Sequence, residues 1–195
     1  MITAREAAYA IYGAWRLARF DAGGVQFFDN TVEAFWRSFY AALIALPGYG
    51  LLVLLRVAGT TDAGAPPMTV LVVESISYAA GWFAFPLAMF YVARTFDLTA
   101  SYFRYIAAYN WAIVLQVTLL LGVTAVTASL PLAPGVVQLV FLVASFAILA
   151  YQWFIARATL GIAAGAAAGI VALDLVLGLL INGYAARILM AAAQG

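Results

Sequence analysis

Residues 160–188 read LGIAAGAAAGIVALDLVLGLLINGYAARI. About 20 predominantly apolar residues in a helix cross a hydrocarbon core about 30 Å thick. This stretch is longer than that and holds one acid, Asp174, near its centre. It reads as a membrane-spanning helix. The rest of the chain repeats the pattern: apolar runs occupy residues 36–56, 68–93, 105–128 and 136–156. Over the whole chain 67% of residues are apolar and 9% are charged, where a soluble domain carries about 25% charged residues. A soluble fold of 195 residues would lack the polar surface to cover its core. The expected fold is all-α: a polytopic transmembrane bundle of about five helices, preceded by an amphipathic helix at the membrane interface.

The joints between runs are short. Residues 129–135 hold two prolines and no charge and predict a tight turn, residues 94–104 form a short polar connection with Asp97 and Thr99, and residues 56–67 form a Gly/Pro-rich loop. Asn30 followed by Glu33 resembles a capping box, so the first helix is expected to start near Thr31. Pro47, Gly48 and Gly50 predict a kink in its middle.

All nine basic residues are arginine. With the amino terminus in the cytoplasm, that side receives Arg5, Arg16, Arg19, Arg37, Arg94, Arg104 and Arg157, and the outer side only Arg56 and Arg187. The positive-inside rule favours this orientation, and an odd number of spans sends the carboxyl terminus outside. Arginine without lysine, beside abundant alanine and glycine, suggests a bacterial gene, so the expected site is a bacterial inner membrane. Tyr and Trp near the run ends fit an aromatic belt.

Residues 1–35 form a separate amino-terminal segment. It carries seven charges and no clean apolar run, so no signal peptide is expected and the amino terminus is expected to be retained. At about 100° per residue, Arg5, Arg16 and Arg19 share a narrow arc with Tyr12, while Ala4, Ile11, Trp15 and Ala18 gather on another sector. That arrangement suits a helix in the headgroup layer, arginines toward phosphates and Trp15 toward the acyl boundary. The competing expectation is a helix packed on the bundle or on a partner.

A charged side chain at the bilayer centre is costly, and such residues face the bundle interior, pair or neutralise. Asp174 shares a helix face with Gly178 and Asn182. Gln116, at mid-depth in the third run, is its expected partner. Asp174 is read either as interhelical glue or as a proton or ion site. Glu74 and Arg56 stand at the same outer face of adjacent spans, where an ion pair with a structural role is expected, extended by Ser75, Ser77 and Tyr78. Asn110 and Gln152 are expected to bond across helices. Gly161, Gly165 and Gly169 form overlapping GxxxG motifs, which let helix backbones approach closely within the chain or between subunits.

Cysteine and histidine are absent, which removes disulfides, thiolate nucleophiles and imidazole as base, metal ligand or haem ligand. No HExxH motif, Ser–His pair, P-loop or dinucleotide fingerprint occurs. The expectation is a non-enzymatic protein with no catalytic residue, metal or cofactor. Its expected partners are membrane lipids and other membrane subunits or a second copy, not nucleic acid.

The plan of an amino-terminal cytoplasmic segment, five closely spaced spans, short loops and an outer carboxyl terminus resembles the Yip1 family of membrane proteins. The likeness covers nearly the whole chain. The family's Asp-Leu-Tyr-Gly-Pro stretch is absent, and the nearest local match, Phe96-Asp97-Leu98-Thr99, lies elsewhere, so no residue role carries over. The resemblance implies a non-enzymatic role in membrane organisation, lipid handling or partner trafficking. The expected function is thus a scaffold or accessory subunit. The alternative is a small transporter or channel component using Asp174.

Overall fold

A computed structural model describes residues 2–59 and 64–194. Among the described residues there are helices and no strand. They are α1 (Ala4–Ala18), α2 (Val32–Ser38), α3 (Tyr40–Gly59), α4 (Pro67–Thr95), α5 (Tyr102–Ser129), α6 (Pro134–Leu160) and α7 (Ala164–Ala192), with 3₁₀ turns at Ala22–Phe27 and Thr99–Ser101. Five segments are long and apolar enough to cross a membrane: α2 and α3 together, α4, α5 with its preceding turn, α6 and α7. The fold is an all-α polytopic bundle. Of the expected loop at 56–67, residues 60–63 lie outside the described residues, as does residue 195.

Local chemistry sets the helix ends. Pro67 and Pro134 stand at the first position of α4 and α6, where the missing N–H costs nothing. α6 runs through Arg157 to Leu160 and stops at Gly161, which adopts φ 68°. The Gly161 N–H bonds to Arg157 O at 3.0 Å, a left-handed helix stop that glycine makes without a steric penalty. The fifth span accordingly begins at Ala164, and Gly161 is a helix terminator outside it.

The first span differs from expectation in two ways. Its cap is Thr31, whose hydroxyl accepts from Ala34 N at 3.1 Å. Asn30 is not the cap, because its side chain bridges to Ala100 O and to Arg104 N. The break falls at Phe39, between α2 and α3, while Pro47 stays inside α3. At the break Phe39 stacks on Phe83 and meets Phe35 edge to face.

α5 is the centre of the molecule. It packs on α3, α6, α1 and α2, and at its start on α4, while α7 packs along α4 and α6. The amino-terminal segment lies against the first half of α5 and the neighbouring part of α6. Ala10, Gly13, Ala14 and Leu17 form its buried face, and Tyr151 of α6 donates to Ala14 O at 2.7 Å. A second, smaller cluster joins Ala65, Val70 and Val73 to Ala185 and Leu189 at the opposite end.

Candidate functional site

Three helices meet at Asp174. The Tyr109 hydroxyl of α5 donates to Asp174 Oδ1 at 2.8 Å, and the Gln152 amide of α6 donates to Asp174 Oδ2 at 3.0 Å. Both carboxylate oxygens therefore have a partner, and each partner comes from a different helix. Phe85 of α4 packs on the Tyr109 ring, the two centroids 4.4 Å apart.

Gln116 does not touch Asp174, and register explains why. Asp174, Tyr109 and Gln152 lie ten, seven and eight residues from the arginine-rich ends of their helices, so each stands about 10–15 Å in. Gln116 shares the face of Tyr109 but lies two turns further along, about 21 Å in. Its Nε2 is buried with no hydrogen-bond partner among the described residues. Asn110 and Gln152 do not bond either, because Asn110 donates to Ser38 Oγ at 2.8 Å and Gln152 is taken by Asp174. Asn182 is exposed and donates to Gly178 O of its own helix at 2.8 Å, so it adds no bond across helices.

A second polar group lies at the opposite end. Glu74 is buried, pairs through Oε1 with Arg56, and accepts at Oε2 from the Tyr49 hydroxyl at 2.6 Å. Tyr49 went unnoticed in the sequence because its role depends on the lean of α3. Tyr78 does not join Glu74 and instead donates to Ala42 O at 2.6 Å, tying α4 to α3.

The amino-terminal segment carries its own ties. Thr3 and Glu6 form a reciprocal capping box that opens α1. These bonds and the nearby Arg37, 2.7 Å away, hold the Glu6 carboxyl below the usual range. Arg37 also pairs with Glu33 at 2.7 Å. Arg16 turns back onto Asp21 at 2.6 Å and over the Phe27 ring, so it is an internal tie rather than a group directed wholly outward. Its hydrogen bond, then that from Gly23 N, lowers the Asp21 carboxyl. Arg5 lies over Tyr9, and Arg19 is exposed. Trp15, half exposed, stands beside Leu119 and Ile148 in a hollow of about 300 Å³ that Gln116 also lines.

The glycine stripe is not a contact within the chain. A Cβ built at Gly165 or Gly169 would meet nothing within 4 Å among the described residues. Gly169 lines an open apolar groove of about 500 Å³ between the end of α4 and the start of α7. Two further hollows indent the bundle. One, of about 560 Å³, lies between α1 and α2 over Trp111, with Arg5, Glu6 and Arg37 at its rim. The other, of about 730 Å³, separates α3 from α4 beside Glu74. Asp174 lines none of these four hollows.

No family model matches the chain, and no curated protein and no solved structure matches it either.

Proposed function

We propose that this chain is a non-enzymatic membrane scaffold or accessory subunit, with Asp174 as a structural clasp and its apolar outer faces available to lipids and partner helices. The observation that carries the reading is how Asp174 is held: the residue is part-buried and each of its carboxylate oxygens accepts a hydrogen bond from a different neighbouring helix. A clasp needs partners on other helices, which Asp174 has.

The open Gly165–Gly169 stripe supports the partner half of the reading, since small residues on an uncovered face allow another helix to approach closely. The five-span plan also fits the role that the Yip1-like layout implies. In this reading the arginine-rich end faces the cytoplasm of a bacterial inner membrane, as the arginine asymmetry favours, and the exposed face of α1 lies in the headgroup layer with Trp15 toward the acyl chains.

The test replaces Asp174 by Asn. Asn keeps an acceptor and adds donors in the same shape, and the Tyr109 hydroxyl and Gln152 amide can both reorient to meet them. The expected result is a folded protein with near-parent thermal stability and no ion flux that depends on Asp174 in proteoliposomes. A flux present in the parent and lost in the well-folded Asn protein would contradict the clasp and establish Asp174 as a transport site.

A further inference from the structure

One amide of α7 faces outward from the bundle. Ala167, Ile170, Ala185 and Leu189 mark the buried side of the helix, whereas Asn182 is exposed. A Cβ at Gly178 or Gly183 beside it would meet nothing within 4 Å among the described residues. Asn182 stands ten residues from the Ala192 end, about 15 Å along the helix. α7 is about 43 Å long and a hydrocarbon core about 30 Å thick, so with the helix centred the amide lies about 8 Å inside the core. It offers two N–H groups and a carbonyl with two lone pairs. Its one hydrogen bond among the described residues runs from Nδ2 to Gly178 O at 2.8 Å. Lipid tails supply neither donor nor acceptor, so the carbonyl and the second N–H call for a partner outside the chain.

The residues in line with it have the pattern of a helix–helix seam. Ala168, Ala172, Leu175, Leu179, Asn182 and Ala186 follow one another at alternating spacings of four and three. That is the 3.5-residue repeat along which two helices interlock with a left-handed twist. The first five are exposed and Ala186 is half-buried. The seam is about 27 Å long, close to the thickness of the hydrocarbon core. It carries no charge: at about 100° per residue, Asp174 and Arg187 lie about 100° or more round the helix from its centre.

Symmetry selects the occupant. Copies inserted in the same orientation are related by an axis along the membrane normal, so each seam residue meets its own counterpart at its own depth. An amide is self-complementary, since each Asn182 can donate to the carbonyl of the other. A single Asn in an otherwise apolar seam also fixes the register. The alanines let the two backbones approach closely, and interhelical hydrogen bonds are among the forces that associate helices in lipid.

We propose that two copies of this chain associate in parallel through α7, with the Asn182 amides paired reciprocally across the two-fold axis. The proposal names the partner in the scaffold reading, and its test leaves Asp174 unchanged, so failure of the dimer and failure of the clasp are separate results.

The experiment uses the full chain in liposomes. The chain has no cysteine, so one introduced cysteine reports one contact. Leu179→Cys on the seam is expected to form a disulfide-linked dimer on mild oxidation. Leu180→Cys, as exposed as Leu179 at 64% but turned about 100° away, is expected to stay monomeric. Both positions face outward, so neither change burdens the fold. Energy transfer between labelled copies, diluted with lipid, then measures the association. Asn182→Leu is expected to weaken it roughly tenfold, the worth of about two interhelical hydrogen bonds, and Asn182→Gln, which keeps the amide, is expected to restore most of it. A parent that stays monomeric at every dilution would overturn the proposal and leave the seam to a different protein. Equal cross-linking at positions 179 and 180, or association unchanged by Asn182→Leu, would overturn it as well.

Discussion

One helix shows two environments. From Tyr102 to Ala112, α5 buries nine of eleven residues, and from Ile113 to Ser129 it buries none. Both halves are strongly apolar. The difference lies in what surrounds them: α1, α2 and the Thr99–Ser101 turn pack on α5, with Asn110 tied to Ser38 in the first half, whereas the second half meets α3 at Gly48 through Val117 and Leu121. Hydrophobicity alone does not distinguish a helix side that meets protein from one that meets lipid, because lipid tails are as apolar as leucine. The packed half gains its order from small residues and polar ties such as Ala14, Ser38, Asn110 and Tyr151.

The comparison breaks most readily at Leu17. It is fully buried, so Leu17→Ala is expected to cost about 2–5 kcal/mol of stability. Leu119→Ala, on the partly exposed stretch of α5, is expected to change stability by less than about 0.5 kcal/mol. Reversible unfolding in detergent or bicelles compares them, and equal losses would erase the distinction between the halves.

Two glycines sharpen it. Gly48→Leu drives a side chain into Val117 and Leu121 and is expected to cost about 1–3 kcal/mol. Gly165→Leu enters open space and is expected to stay within about 0.5 kcal/mol while weakening co-purification of a partner or a second copy. A large loss at Gly165 in the isolated chain would mean that the stripe does pack against its own bundle.

The smallest expected effect is on pH. Glu6 and Asp21 have folded-state values below their ordinary ones. Their contribution is therefore complete above the ordinary carboxylate range and is lost as pH falls through the lowered folded values, below about pH 4. Hydrogen exchange should show residues 3–24 loosening on acidification before the core of α5 does. Asp21→Asn should already weaken that corner at neutral pH. A corner that stays protected as long as α5 would show that these carboxylates do not hold it.

The five spans were legible because length and apolarity alone identify them. Their ends were less legible: a charged residue such as Arg157 looks like a terminus but remains helical until Gly161 changes the backbone. The Arg56–Glu74 pair could be read because adjacent spans bring their shared end together. The partners of Asp174 could not, since choosing Tyr109 and Gln152 over Gln116 requires the relative depth of three helices. The glycine stripe misled for a related reason. Its spacing permits a close helix contact but carries no information on which helix, if any, fills it.

The clasp at Asp174 is best tested by a double-mutant cycle between Tyr109→Phe and Asp174→Leu, read by reversible unfolding. Each single change removes the same hydrogen bond, so the losses should be less than additive. The expected coupling is about 0.6–1.7 kcal/mol, the range of interhelical hydrogen bonds in membrane bundles. Strictly additive losses would mean that the 2.8 Å contact contributes nothing to holding α5 and α7 together, and would contradict the account.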